Sequence, residues 1–200
     1  MSLISRILAR VAKLPPAETY DIAVEKNLHV PMRDGVVLLA DHYYPRHARN
    51  QPTLLVRTPY GRSGAGLIVG QLIAERGFQG LIQSCRGTDG SDGEVNPFRG
   101  EREDGLATLA WLKSQDWFDG RLAMAGASYL GFTQWAIARD AGPMLKALST
   151  HVTSSEFRSV IYPGESFNLE IFLHANRCSG CAHICSARRK NCGNHPCASM

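Results

Sequence analysis

No stretch of this 200-residue sequence approaches the roughly 20 consecutive apolar residues that a membrane-spanning helix requires. The opening segment, MSLISRILARVAKLPPAE, also lacks the unbroken apolar region and small-residue cleavage site of a secretory signal. The expected location is therefore cytoplasmic, with no membrane partner. Residues 174–200 contain no acid, and their Arg177, Arg188, Arg189 and Lys190 account for the whole net charge of +4. The remaining 173 residues are balanced, which argues against a polyanionic partner such as nucleic acid. Cysteine is equally uneven. Cys85 is alone in the body, whereas Cys178, Cys181, Cys185, Cys192 and Cys197 crowd the last 23 residues. Two segments of different origin would produce such a split.

What is present is the composition of a globular chain, 44% hydrophobic and 20% charged, long enough for one domain with a proper core. Residues 1–19 read as a leading helix packing on the body, because Leu3, Ile4, Ile7, Leu8, Val11 and Leu14 recur at helical spacing with Arg6, Arg10 and Lys13 interleaved. A membrane-surface or targeting role is the alternative reading of the same pattern. ETYDIAVEKNLHVPM and VVLLADHYYP read as strands joined by a turn at Asp34-Gly35. TLLVRTP, FQGLIQSC, RLAMAG and LKALSTHV read as four further strands. Between them, GLIVGQLIAERG, EREDGLATLAWLKSQDW and YLGFTQWAIARDAG read as helices, the first capped by Gly77. A hairpin followed by alternating strands and helices predicts an α/β fold, a mostly parallel sheet with helices on both faces.

Ser128 follows the strand RLAMA and precedes a helix, with Gly126 and Ala127 before it. In a parallel sheet the chemistry gathers at the carboxyl ends of the strands. A serine on a sharp strand-to-helix turn needs small neighbours, since the turn presses backbone and side chains together. The helix that follows would aim its N-terminus at the site, so the Tyr129 N–H is a candidate oxyanion donor. The spelling is Gly-x-Ser-x-x-Gly, with Leu130 where the usual motif has its second glycine. An ordinary helix-capping serine is the competing reading. Tyr60, just after Pro59 at the end of the third strand, is a candidate second donor through its hydroxyl.

The segments VPMRDGVVLLADHYYP, LLVRTPYGR, LIQSCRGTDGSDGEVNPF, EREDGLATLAWLKSQDWFDGRLAMAGASYLG and TQWAIA occur in that order. Over about residues 20–170 they resemble the N-terminal part of the α/β-hydrolases related to X-prolyl dipeptidyl-peptidase, cocaine esterase and α-amino-acid ester hydrolase. That resemblance implies Ser128 as nucleophile, the Tyr129 N–H and the Tyr60 hydroxyl as oxyanion donors, and no cofactor or metal. It implies a structural role for the loop Arg86 to Glu94, with Arg86 buried against a carboxylate. Asp104 and Asp119 would be helix-start and turn residues. Implied substrates are small esters or X-Pro peptides, cleaved through an acyl-enzyme.

A serine hydroxyl needs a base, and the base needs an orienting carboxylate. In this fold the acid and the histidine follow the serine, and in the resembled family they lie beyond a helical cap, past the end of this sequence. Neither is identifiable here. His151 sits at a strand end, but its position matches nothing catalytic in the family; His29, His42 and His47 precede the serine and read as structural or surface residues. Glu156, Glu165 and Glu170 are acids without a spacing argument. The expectation is a hydrolase fold lacking its cap and C-terminal parts, with impaired activity. The alternative is a catalytically dead fragment, or a non-enzymatic protein with a Cys-rich tail. That tail, residues 174–200, is expected to be a shifted reading frame or disordered, following a body spanning residues 20–173. Cys178-x2-Cys181 and Cys192-x4-Cys197, with His183 and His195 to spare, would alternatively suit a zinc site.

Overall fold

The computed structural model describes residues 3–47 and 50–169. The expectations for Glu170, for the cysteines and histidines of the tail, and for its metal site lie outside the described residues. The chain divides into two compact units, residues 1–155 and residues 156–200. In the second, a short helix, Arg158–Ile161, precedes a 3-10 turn at Pro163–Glu165. The Glu156 carboxylate accepts from the Arg158 and Ser159 N–H groups at its start.

The first unit is a six-stranded sheet whose elements run α1 (Leu3–Val11), β1 (Ile22–Pro31), β2 (Val37–Pro45), β3 (Thr53–Thr58), α2 (Ala65–Ala74), β4 (Gln79–Ser84), α3 (Glu101–Leu112), β5 (Leu122–Ala127), α4 (Tyr129–Ala138) and β6 (Leu145–His151). The spatial order is β1-β2-β4-β3-β5-β6. β1 and β2 form the expected antiparallel hairpin, and β2 runs antiparallel to β4. β4, β3, β5 and β6 are parallel.

Side chains alternate across the sheet, so neighbouring residues of one strand feed different core clusters. Leu55, Leu81 and Met124 join Leu38, Leu112 and Ile137 in one cluster, whereas Val56 and Ile82 join Tyr43, Ile73 and Ala74 in the other. Each such fully buried side chain contributes about 1.5–3 kcal/mol relative to exposure. Near-continuous apolar runs such as TLLV reflect this double burial.

Two expectations need correction. α3 ends at Leu112 rather than continuing to Trp117. The Ser114 hydroxyl and the Gln115 amide both donate to the Trp111 carbonyl, satisfying an acceptor at the helix end. The chain then turns so that Trp117 stacks on His42, with ring centroids 3.9 Å apart. The second correction concerns α1. It lies on the body through Ser5, which is buried and donates to Glu75 Oε1 at 2.9 Å. Ile7, Leu8, Val11 and Leu14, expected to face the core, are exposed. Among the described residues no helix is long and apolar enough to cross a membrane.

Candidate active site

The strand order positions the site. The chain leaves β3 toward β4 on one side, whereas it leaves β5 toward β6 on the other. Between β3 and β5 the connections therefore diverge, opening a crevice at the carboxyl ends of the two strands. The β3–β5 register pairs Leu55 with Met124. The loop bearing Tyr60 and the turn bearing Ser128 thus follow the carboxyl ends of two neighbouring parallel strands.

Ser128 is exposed and has φ 57° and ψ −122°, a conformation that few non-glycine residues adopt. A helix-capping serine would have extended backbone and a side chain bonded to the first turn; here the Ser128 side chain makes no capping hydrogen bond. Its carbonyl accepts from the Gly131 and Phe132 N–H groups at 3.0 and 3.1 Å, so α4 starts at once. Its own N–H donates to the His151 carbonyl at 2.9 Å, tying the turn to the end of β6. The Tyr129 N–H belongs to the first helical turn, where donors have no acceptor within the helix.

Small residues make this turn. A Cβ on Gly126, which has φ 150°, would overlap the Leu130 side chain, and one on Gly131 would sit 2.5 Å from Thr153 Cγ2. Gly131 is thus required where α4 crosses the segment after β6.

Beneath the turn lies a buried polar network that sequence reasoning missed. The Tyr129 hydroxyl donates to Glu101 Oε1 at 2.6 Å and accepts from the Phe98 N–H at 3.1 Å. Glu101 Oε2 is 3.0 Å from Arg57 Nη1, a pair whose side chains are 6% and 0% exposed. Arg57 also donates through Nε to Gln83 Oε1 at 2.8 Å and through Nη1 to the Glu101 carbonyl at 2.9 Å. Burial first, then the neighbouring carboxylate, holds the Tyr129 phenol well above its usual range, so the hydroxyl stays protonated as a donor. The available signal was an arginine inside the apolar run LLVRTP, which a doubly covered strand tolerates only with a buried acid.

The loop after β3 is held by a second network. The Tyr60 N–H donates to Thr58 Oγ1 at 3.1 Å. Arg62, buried, donates to Ser84 Oγ at 2.7 Å, Asn27 Oδ1 at 2.9 Å and Asp41 Oδ1 at 3.2 Å. Its N–H reaches Asp89 Oδ2 at 2.7 Å. The Asp89 loop thus supports the Tyr60 segment. Tyr60 itself is 37% exposed.

Arg86 is half-buried rather than buried, and it pairs with two carboxylates, Asp104 and Asp34. Asp104 lies in the first turn of α3, and Asp119 accepts from the Arg121 N–H in the turn before β5. The His151 ring pairs with Ser149 Oγ at 3.0 Å. His42 is buried and stacked, and His47 pairs with Asp21 at 2.9 Å on the surface. Among the described residues no group of three or more His, Cys, Asp or Glu side chains could hold a metal ion.

A mixed, mostly parallel sheet with helices packed on it, in this strand order, places the chain in the α/β-hydrolase fold class. Residues 34–196 match the X-Pro dipeptidyl-peptidase (S15) family, and the chain belongs to that family. It is 37% identical over 158 residues to the cocaine esterase of Rhodococcus sp. (strain MB1 Bresler), a match covering 76% of this chain and 28% of that protein. Among solved structures it is similar to an aminopeptidase from a marine sediment Thaumarchaeota archaeon, with TM-score 0.57 and 27% identity, covering 67% of this chain and 26% of that one. It is similar also to a CocE/NonD family hydrolase from Staphylococcus aureus, with TM-score 0.58 and 26% identity, covering 64% of this chain and 27% of that one. An α-amino acid ester hydrolase gives TM-score 0.56 and 27% identity over 68% of this chain and 26% of its own. The chain thus spans about a quarter of the length of these relatives.

Proposed function

We propose that this chain is part of a serine hydrolase that cleaves small esters or X-Pro peptides through an acyl-enzyme. The observation that carries this reading is the backbone of Ser128, held at φ 57° with its side chain exposed and capping nothing. A fold keeps such strain, which costs about 1–3 kcal/mol, where it sets up function. Ser128 Oγ attacks the substrate carbonyl carbon and its proton passes to a base. The tetrahedral oxyanion sits between the Tyr129 N–H, at the positive end of α4, and the Tyr60 hydroxyl. Collapse breaks the ester or amide bond, the leaving group takes the proton, and water then releases the acid from Ser128. We place the base and its carboxylate in the part of the relatives that this chain does not span.

The second reading is a hydrolase fold without hydrolytic activity in this chain, favoured by the His151 ring being paired with Ser149. A triad deprived of its base and acid retains only about 10³–10⁴ of acceleration over water. Incubation with a fluorophosphonate probe and mapping by mass spectrometry separates the two. Active hydrolysis predicts one adduct, on Ser128, absent in Ser128→Ala. An unlabelled chain assigns the second reading.

A further inference from the structure

We propose that α1 is a docking helix for the surface of an anionic lipid bilayer, a role independent of hydrolysis. Ser5 faces the body and bonds to Glu75. At 3.6 residues per turn, Ile7 lies about 200° round the helix from Ser5, and with Val11 and Leu14 it lines an open groove bordered by Pro15, Pro16 and Tyr20. The apolar residues are accordingly turned out: Ile7 is 55% exposed, Val11 76%, and Leu8 and Leu14 39% each. A cation directly precedes three of these four, as Arg6-Ile7, Arg10-Val11 and Lys13-Leu14, and residues 3–17 contain no acid. Lys13 and Leu14 belong to the turn that closes the helix, where the Leu14 N–H donates to the Ala9 carbonyl at 2.9 Å.

Charge selects the occupant. Residues 170–200 of this chain carry Arg177, Arg188, Arg189 and Lys190 against the single acid Glu170, so they have the same sign as the helix. A second copy would set one row of cations against another. Four partly exposed side chains also fall well short of the roughly 800 Å² per partner that a stable protein interface buries. A bilayer meets both demands. An apolar stripe sinks to the headgroup boundary while the bordering cations lie level with lipid phosphates. The contact proposed is peripheral and does not span the bilayer.

The test is cosedimentation of the 200-residue chain with phosphatidylglycerol–phosphatidylcholine vesicles and with phosphatidylcholine vesicles. Binding is expected to the anionic vesicles, falling as salt rises. Val11→Glu and Arg10→Glu should each weaken it about tenfold, since each places a negative charge at the anionic surface. Val152→Glu, a change at a 90% exposed valine outside α1, should leave it unaltered. Both valines are surface residues, so unchanged thermal unfolding of the variants is expected alongside. No binding to anionic vesicles, equal binding to neutral ones, or full binding by Val11→Glu would overturn the proposal. So would a dimer in sedimentation velocity that Val11→Glu dissociates, which would assign the stripe to a second copy.

Discussion

The Tyr129 hydroxyl is anchored on Glu101 Oε1 at 2.6 Å, and Glu101 is itself held by Arg57 on the neighbouring strand. The residue that follows Ser128 is therefore pinned at its far end, while its N–H remains at the head of α4. Removing the hydroxyl leaves a buried carboxylate one donor short and the Phe98 N–H without its acceptor. Tyr129→Phe is expected to cost about 1–3 kcal/mol, read as a lower denaturant midpoint with unchanged slope. A midpoint equal to wild type would show that the network bears no load on the turn.

Ser128 pays for its position in backbone strain, and glycine is indifferent to that conformation. Ser128→Gly should relieve about 1–3 kcal/mol of strain against about 0.5–1 kcal/mol of added unfolded-chain entropy, a net gain of roughly 1 kcal/mol. Ser128→Ala keeps a Cβ and should gain nothing. Chemical denaturation of the two variants side by side measures the difference, and equal midpoints would remove strain from the account of this turn.

Much of the fold was legible because its determinants are local. Alternation, turn residues and helical spacing located six strands and the helices between them, and Asp34-Gly35 announced the hairpin. The serine was equally legible, since a glycine and an alanine precede it where a strand meets a helix. What escaped depends on partners remote in sequence. Nothing near Arg57 announces Glu101, and nothing near Ser5 announces Glu75, yet those two contacts hold the Tyr129 network and orient α1. Periodicity identified the apolar stripe of α1 but not the direction in which it points. α3 was drawn too long for a related reason. Trp117 reads as helix from its neighbours, but its ring is taken by His42 on β2.

Tyr60 tests the oxyanion arrangement without altering the nucleophile. With the loop held by Arg62, Tyr60→Phe removes one hydroxyl and leaves the backbone in place. Loss of one oxyanion donor typically slows reaction about 10²–10³-fold. The rate of fluorophosphonate labelling at Ser128 should fall by a comparable factor. An unchanged rate would remove Tyr60 from the mechanism and leave the Tyr129 N–H as the donor to examine.

His42 should make this chain acid-sensitive at mild pH. Its side chain is 2% exposed and lies between the rings of Tyr44 and Trp117. Nε2 is 2.7 Å from Gln79 Oε1, and Nδ1 is 3.8 Å from Glu25 Oε2. Burial lowers its pKa below the ordinary 6.5, with the Gln79 bond and the Glu25 charge opposing the shift without reversing it. The unfolded chain therefore takes up a proton on this ring near pH 6.5, while the folded chain resists it. Stability is full above that pH and falls as the pH drops through 6.5 toward the lowered folded value. The denaturant midpoint should accordingly be lower at pH 5.5 than at pH 7.5. His42→Phe retains a ring between Tyr44 and Trp117 and loses the Gln79 bond, which lowers the midpoint at both pH values. Its difference between the two should nonetheless shrink, because the buried ring that resists the proton has been removed. An equal pH difference in wild type and His42→Phe would place the acid sensitivity elsewhere.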